Sequence, residues 1–80
     1  MIKAGDLVEV IPGSKSDLRH GTMMFRNSSE LSLVYVYYGT TLLVTGDAFT
    51  PETGNRRIQV LHPEFGTIEC EESSLELVRN

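Results

Sequence analysis

His62 and Cys70 are the residues whose types, a base and a thiol, are most readily assembled into covalent chemistry in this chain. A cysteine beside a histidine is the seed of a thiol nucleophile. They lie in RRIQVLHPEFGTIECEE, where two alternating runs flank HPEFG and predict a β-hairpin. With Glu64-Phe65-Gly66 as its loop, Gly66 supplies the left-handed residue of a type I turn and G1 bulge. His62 then falls opposite Ile68 and Val60 opposite Cys70, with Ile58 in line, while Leu61 meets Glu69 and Gln59 meets Glu71 on the other face. This register sorts nearly every apolar group to one side, and a shift of one residue would set Val60 against Glu69. Cys70 and His62 therefore belong to the core face, where a cysteine is ordinarily a small inert hydrophobe. His62, next to Pro63, is expected to anchor the turn by a hydrogen bond.

No other arrangement suggests catalysis. His20 and His62 are far apart in sequence and lack the company of closely spaced metal ligands. Gly39-Thr40-Thr41 lacks the lysine and the spacing of a phosphate-binding loop and reads as a bend. Glu69, Glu71 and Glu72 read as a solvated strand face that can attract a basic partner or loosely hold a divalent cation. The expectation is a non-enzymatic protein with no cofactor and no metal.

Eighty residues, 40% hydrophobic and 22% charged, make one globular domain, residues 1–80, near the lower size limit for unaided folding. The lone cysteine cannot form an internal disulfide, and MIKAGDLVEV has no signal-peptide pattern, so a reducing cytoplasm is expected. The longest apolar stretch falls short of the roughly 20 residues of a membrane-spanning helix. The net charge of −4 arises in the second half, where Arg56, Arg57 and Arg79 face seven acidic residues. Nucleic-acid binding draws much of its affinity from neutralised phosphates, and Arg56-Arg57 is the largest basic cluster present, so the charge balance argues against it.

The elements that must position these groups are strands. No window sustains a helical apolar period, and seven glycines and three prolines punctuate the chain. Leu7 to Ile11 alternates between Gly5-Asp6 and Pro12-Gly13. Thr22 to Arg26 follows the loop SKSDLRHG, and Asn27 to Glu30 form the most polar connection. LSLVYVYY comes next, then TLLVTGDAF, whose Gly46-Asp47 suggests a bulge or bend. TPETGN turns the chain into Arg56, with Pro51 presetting the turn. Ser73-Ser74 begin a short turn, one turn of 3-10 helix, before a last strand in LELVRN. Six or seven short antiparallel strands point to an all-β barrel or a pair of packed sheets.

Leu31 to Tyr38 is the unusual segment, because it is apolar or aromatic on both faces apart from Ser32. Leu33, Tyr35 and Tyr37 fall on one face, and Val34, Val36 and Tyr38 on the other. Three placements are open: a central strand covered on both sides, a strand packed under the segment carrying Met23, Met24 and Phe25, or a strand presenting one face to another molecule. Tyrosine favours the last two, since its ring can be buried while its hydroxyl stays near water.

The order GDLVEVI, a long excursion, TLLVTGDAF, RRIQVLH, a tight turn, GTIECEE, SSLE and LELV resembles the SH3-like barrel. That resemblance implies a small barrel of about five to seven short antiparallel strands, with LSLVYVYYG inserted in the first long loop and a 3-10 turn before the closing strand. GDLVEVIPG followed by HGTMMF also looks like the KOW version of this barrel, with Gly13 and Gly21 in the loop. Met23-Met24 depart from it, standing where that pattern prefers another glycine and a valine. Small SH3-like barrels of this sort occur among uncharacterised proteins of tailed phages and cyanobacteria, which implies a host cytoplasm if the chain is viral.

The function expected is a protein-interaction module that docks a protein partner or its own copy through Tyr35, Tyr37, Tyr38 and Phe25. The alternative, from the KOW-like opening, is an RNA or ribosome contact through Arg56, Arg57, Lys15 and Arg19.

Overall fold

A computed structural model describes residues 2–26, 29–48, 52 and 54–78, with the side chains of 29–31 left out. The chain is all-β. Its elements are β1 (Leu7–Val10), β2 (Gly21–Arg26), β3 (Ser29–Tyr37), β4 (Thr41–Asp47), β5 (Arg57–His62), β6 (Gly66–Glu71), a single 3-10 turn (Glu72–Ser74) and β7 (Leu75–Leu77). All seven strands join one antiparallel sheet in the order β3-β2-β6-β5-β4-β1-β7.

Alternation in the sequence explains which face is buried. Val8 and Val10, Thr22 and Met24, Val34 and Val36, Leu42 and Val44, Ile58 and Val60, Ile68 and Cys70 all point inward, two from each of the first six strands. Among the described residues no α-helix covers this face. Laid flat, seven strands about 4.8 Å apart would leave that face wet. The sheet instead curls round its own side chains, and Val8, Met24, Ile58, Val60 and Ile68 reach zero exposure. The 3-10 turn shifts the parity of the last strand, so that Leu75 and Leu77 come opposite Val10 and Val8.

Several sequence expectations are adjusted. Of the polar connection expected over Asn27 to Glu30, Ser29 and Glu30 belong to β3; Asn27 and Ser28 lie outside the described residues. Pro51, given a turn role, also lies outside them. The bulge expected near Gly46 is present as a register shift between Val44 and Gly46.

The β5–β6 hairpin pairs two residues away from the expected register. His62 stands opposite Gly66, Val60 opposite Ile68 and Ile58 opposite Cys70, so the connecting residues are Pro63 to Phe65. A slip of two leaves every side chain on its expected face, which is why alternation could not detect it. Gly66 does take positive φ, at 76°. The expected turn anchor is also found: His62 Nδ1 accepts the Glu64 N–H at 3.0 Å and the Phe65 N–H at 3.2 Å. Phe65 stacks on the imidazole, with ring centroids 4.5 Å apart.

β2 and β3 approach closely at Gly21, where a Cβ would collide with the Val36 carbonyl oxygen and sit 2.9 Å from Tyr37 Cα. Both obstacles are backbone, so strands must separate to admit a methyl group. Gly21→Ala should lower unfolding free energy by about 1–3 kcal/mol, as expected for overpacking. Urea unfolding checks this, and an unchanged midpoint would contradict the close approach.

Candidate aromatic interface

β3 lies at one end of the sheet order. That excludes the central-strand placement and explains why its two faces diverge. Val34 and Val36 enter the core beside Met24, whereas Leu33 is 48% exposed and Tyr37 64% exposed. Tyr35 is half-buried, and its ring meets that of Tyr37 edge-to-face at 5.1 Å. The register brings Met23 opposite Tyr35 and Phe25 opposite Leu33, so both β2 residues share this outer face. An aromatic and aliphatic surface therefore spans two strands at the sheet edge.

Tyr38 does not join it. Its position one residue beyond Tyr37 turns the ring to the opposite face, where it packs against the core. Its hydroxyl donates to the Leu18 carbonyl at 2.7 Å, and its N–H donates to the His20 carbonyl at 3.0 Å. Tyr38 thus ties the β1–β2 loop to the end of β3. The loop is also held from within by Asp17. Burial pushes the Asp17 carboxyl up, but the N–H groups of Gly13 and Ser14 and the hydroxyls of Ser14 and Thr22 outweigh this, so its pKa is lowered.

Phe25 lies beneath a cation. The Arg57 guanidinium sits 4.6 Å from its ring centroid, which marks the inner border of the aromatic surface. Arg56, its neighbour in sequence, is otherwise engaged: it bonds Asp47, bonds Glu72 at 2.6 Å and donates to the Ile2 carbonyl at 3.0 Å. Hydrogen bonding to Asp47, against a desolvation cost, raises its pKa. Lys15 and Arg19 lie on the β1–β2 loop, exposed. The four candidate phosphate contacts thus differ in kind, and Arg56 has its charge balanced within the fold.

The carboxylates expected to form a solvated face do not. Glu69 is buried on the outer side, opposite Phe25 and Gln59. Glu71 accepts from Asn55 Nδ2 at 3.1 Å, and Glu72 pairs with Arg56. The sheet packs these groups among neighbours that sequence order could not reveal. Among the described residues no cluster of three or more His, Cys, Asp or Glu could hold a metal ion.

Cys70 and His62 are also kept apart by the corrected register. Cys70 pairs with Ile58, four residues before His62 on β5, a separation of about 13 Å along an extended strand. The thiol is buried, and burial, followed by the Glu71 charge, pushes its pKa up to about 12. A thiol so placed is a core hydrophobe.

A second apolar surface is not evident from sequence order. Val78, Leu7, Leu43 and Leu61 lie abreast on four neighbouring positions: Leu7 opposite Leu43, Leu43 opposite Leu61, and Val78 donating its N–H to the Leu7 carbonyl at 3.0 Å. All four are exposed, Leu7 by 50%. The signal was an apolar residue at an outward position in each of three separate strands, visible as a row only once strand neighbours are known.

No family model, curated protein or solved structure matches this chain.

The raised Cys70 pKa makes a signed prediction. The folded thiol stays protonated where the unfolded one, near its ordinary 9.0, ionises, so this contribution to stability is full below about pH 9 and is lost as pH rises toward about 12. The unfolding free energy should therefore decline more steeply with alkaline pH in the native chain than in Cys70→Ala. Parallel slopes in thermal melts across that range would contradict the burial of the thiol.

Proposed function

We propose that this protein is a non-enzymatic interaction module that docks a protein partner, or a copy of itself, through the outer face of β2 and β3. The observation that carries this is the Tyr35–Tyr37 edge-to-face pair beside exposed Leu33, in a stretch from Leu31 to Gly46 without a charged residue. Large rings with hydroxyls able to remain at a wet rim suit an interface, because they bury much area at low conformational cost. Tyr35, Tyr37 and Phe25 form the docking surface, and Tyr38 supports it from behind by holding the β1–β2 loop.

The likeness to SH3-like barrels supports the same reading. β1 lies between β4 and β7, β4, β5 and β6 form a meander, a 3-10 turn precedes the last strand, and the β2–β3 hairpin occupies the first long connection. The KOW-like alternative, an RNA contact by Arg56, Arg57, Lys15 and Arg19, is less favoured, since Arg56 is paired with Asp47 and Glu72 and Arg57 lies over Phe25.

Tyr37→Ser should weaken partner capture or self-association by roughly 5- to 30-fold, the effect of losing an interface tyrosine worth about 1–2 kcal/mol. Its urea midpoint should barely move, because Tyr37 is exposed. Binding should change little between low and high salt. Capture unaffected by Tyr37→Ser in a folded protein would overturn the proposal, and binding that collapses with salt would favour the phosphate contact instead.

A further inference from the structure

The hydrogen bonds around β2 determine which main-chain groups of β3 face outward. Along an antiparallel strand, residues alternate between those that direct both N–H and C=O at one neighbour and those that direct both away. On β2, Gly21 and Met23 use theirs on the side away from β3. The Gly21 carbonyl accepts the Leu18 N–H at 2.7 Å, and the Met23 N–H donates to the Ser16 carbonyl at 3.2 Å. Thr22 and Met24 therefore address β3, opposite Val36 and Val34, and the Tyr38 N–H continues the series by donating to His20.

It follows that Leu33, Tyr35 and Tyr37 direct their main-chain groups to the far edge. No strand among the described residues lies there. The Tyr37 carbonyl accepts from the Thr40 N–H at 3.2 Å and from Thr40 Oγ1 at 2.7 Å. Among the described residues no strand pairs with the other outward groups, the Tyr37 N–H and both groups of Leu33 and Tyr35.

Protein edges are ordinarily guarded by charge, proline, bulges or shortness, because an open edge is a template for another strand. The other end of this sheet follows that rule: β7 has three residues and carries Glu76. β3 has nine, and from Leu31 onward it carries neither charge nor proline. Its register with β2 shifts only at the far end, between Phe25 and Arg26.

We propose that the open edge of β3 pairs antiparallel with the same edge of a second copy, about a twofold axis at Tyr35. This rests on the reading that the aromatic face of β3 is the docking surface, and it specifies both mode and occupant. A second copy fits because the pairing is self-consistent. With Tyr35 opposite Tyr35 of the second copy, the two tyrosines exchange N–H···O=C bonds and each Tyr37 N–H meets a Leu33 carbonyl, while the Tyr37 carbonyl keeps its two bonds to Thr40. Val34 meets Val36 on the inner face, extending the core across the seam. On the outer face the two aromatic surfaces become one. From Leu31 to Tyr37 the strand carries no charge, so two chains of net charge −4 meet along a neutral seam.

The test is sedimentation over a concentration series with the native chain, Tyr35→Lys, Tyr35→Glu and an equimolar mixture of the two variants. The native chain should sediment at twice 8.9 kDa. Each variant alone should dissociate at least tenfold more readily, since like charges meet at the axis, and the mixture should regain the dimer. A native chain that stays at 8.9 kDa at all concentrations, variants that remain dimeric, or a mixture that stays monomeric would each overturn the proposal. Amide exchange on the native chain needs no variant: the N–H groups of Tyr35 and Tyr37 should become protected as the concentration rises, and continued fast exchange would also overturn it. If the native chain is monomeric while partner capture still depends on Tyr37, the self-pairing fails and the docking surface stands. If it dimerises as described while Tyr37→Ser leaves partner capture unchanged, the reverse holds.

Discussion

A one-sided core with no second layer is the constraint on which this fold depends. Each of the first six strands offers two inward side chains, and among the described residues no helix covers them. Strand curvature, with Ile2, Tyr38 and Phe65 packed against the core, must exclude water, and β2 approaches β3 closely at Gly21. In a chain this short the ratio of surface to volume leaves little reserve, so many outward positions remain apolar without being part of the core.

That excess is disposed in two places with different physical character. The row Val78, Leu7, Leu43 and Leu61 lies across strands that are paired on both sides, apart from the terminal position, so only side chains are on offer there. At β3 an apolar outer face coincides with a backbone edge that no strand among the described residues pairs. Hydrogen bonding requires direction and burial rewards area, and β3 is where the two coincide.

The polar groups of the chain serve mainly to hold loops. Asp17 and Tyr38 fasten the β1–β2 connection from opposite sides, Arg56 clamps Asp47, Glu72 and the Ile2 carbonyl, and His62 closes the β5–β6 turn. Each of these groups satisfies neighbouring backbone or charge. The raised thiol of Cys70 belongs to the same economy of burial.

Local pattern was enough to establish the strand class, most strand positions, the bulge near Gly46, the 3-10 turn and the turn-anchoring role of His62. These depend on residues close in sequence: alternation of period two, glycine and proline punctuation, and a side chain reaching its own turn. Tertiary structure decided who stands beside whom. It set the β5–β6 register two residues from the expected one, buried Glu69, separated Cys70 from His62 and assembled the leucine row. It also put β3 at the sheet edge. Alternation is blind to a shift of two and says nothing of distant neighbours, because cross-strand partners are chosen by how the whole sheet curls shut.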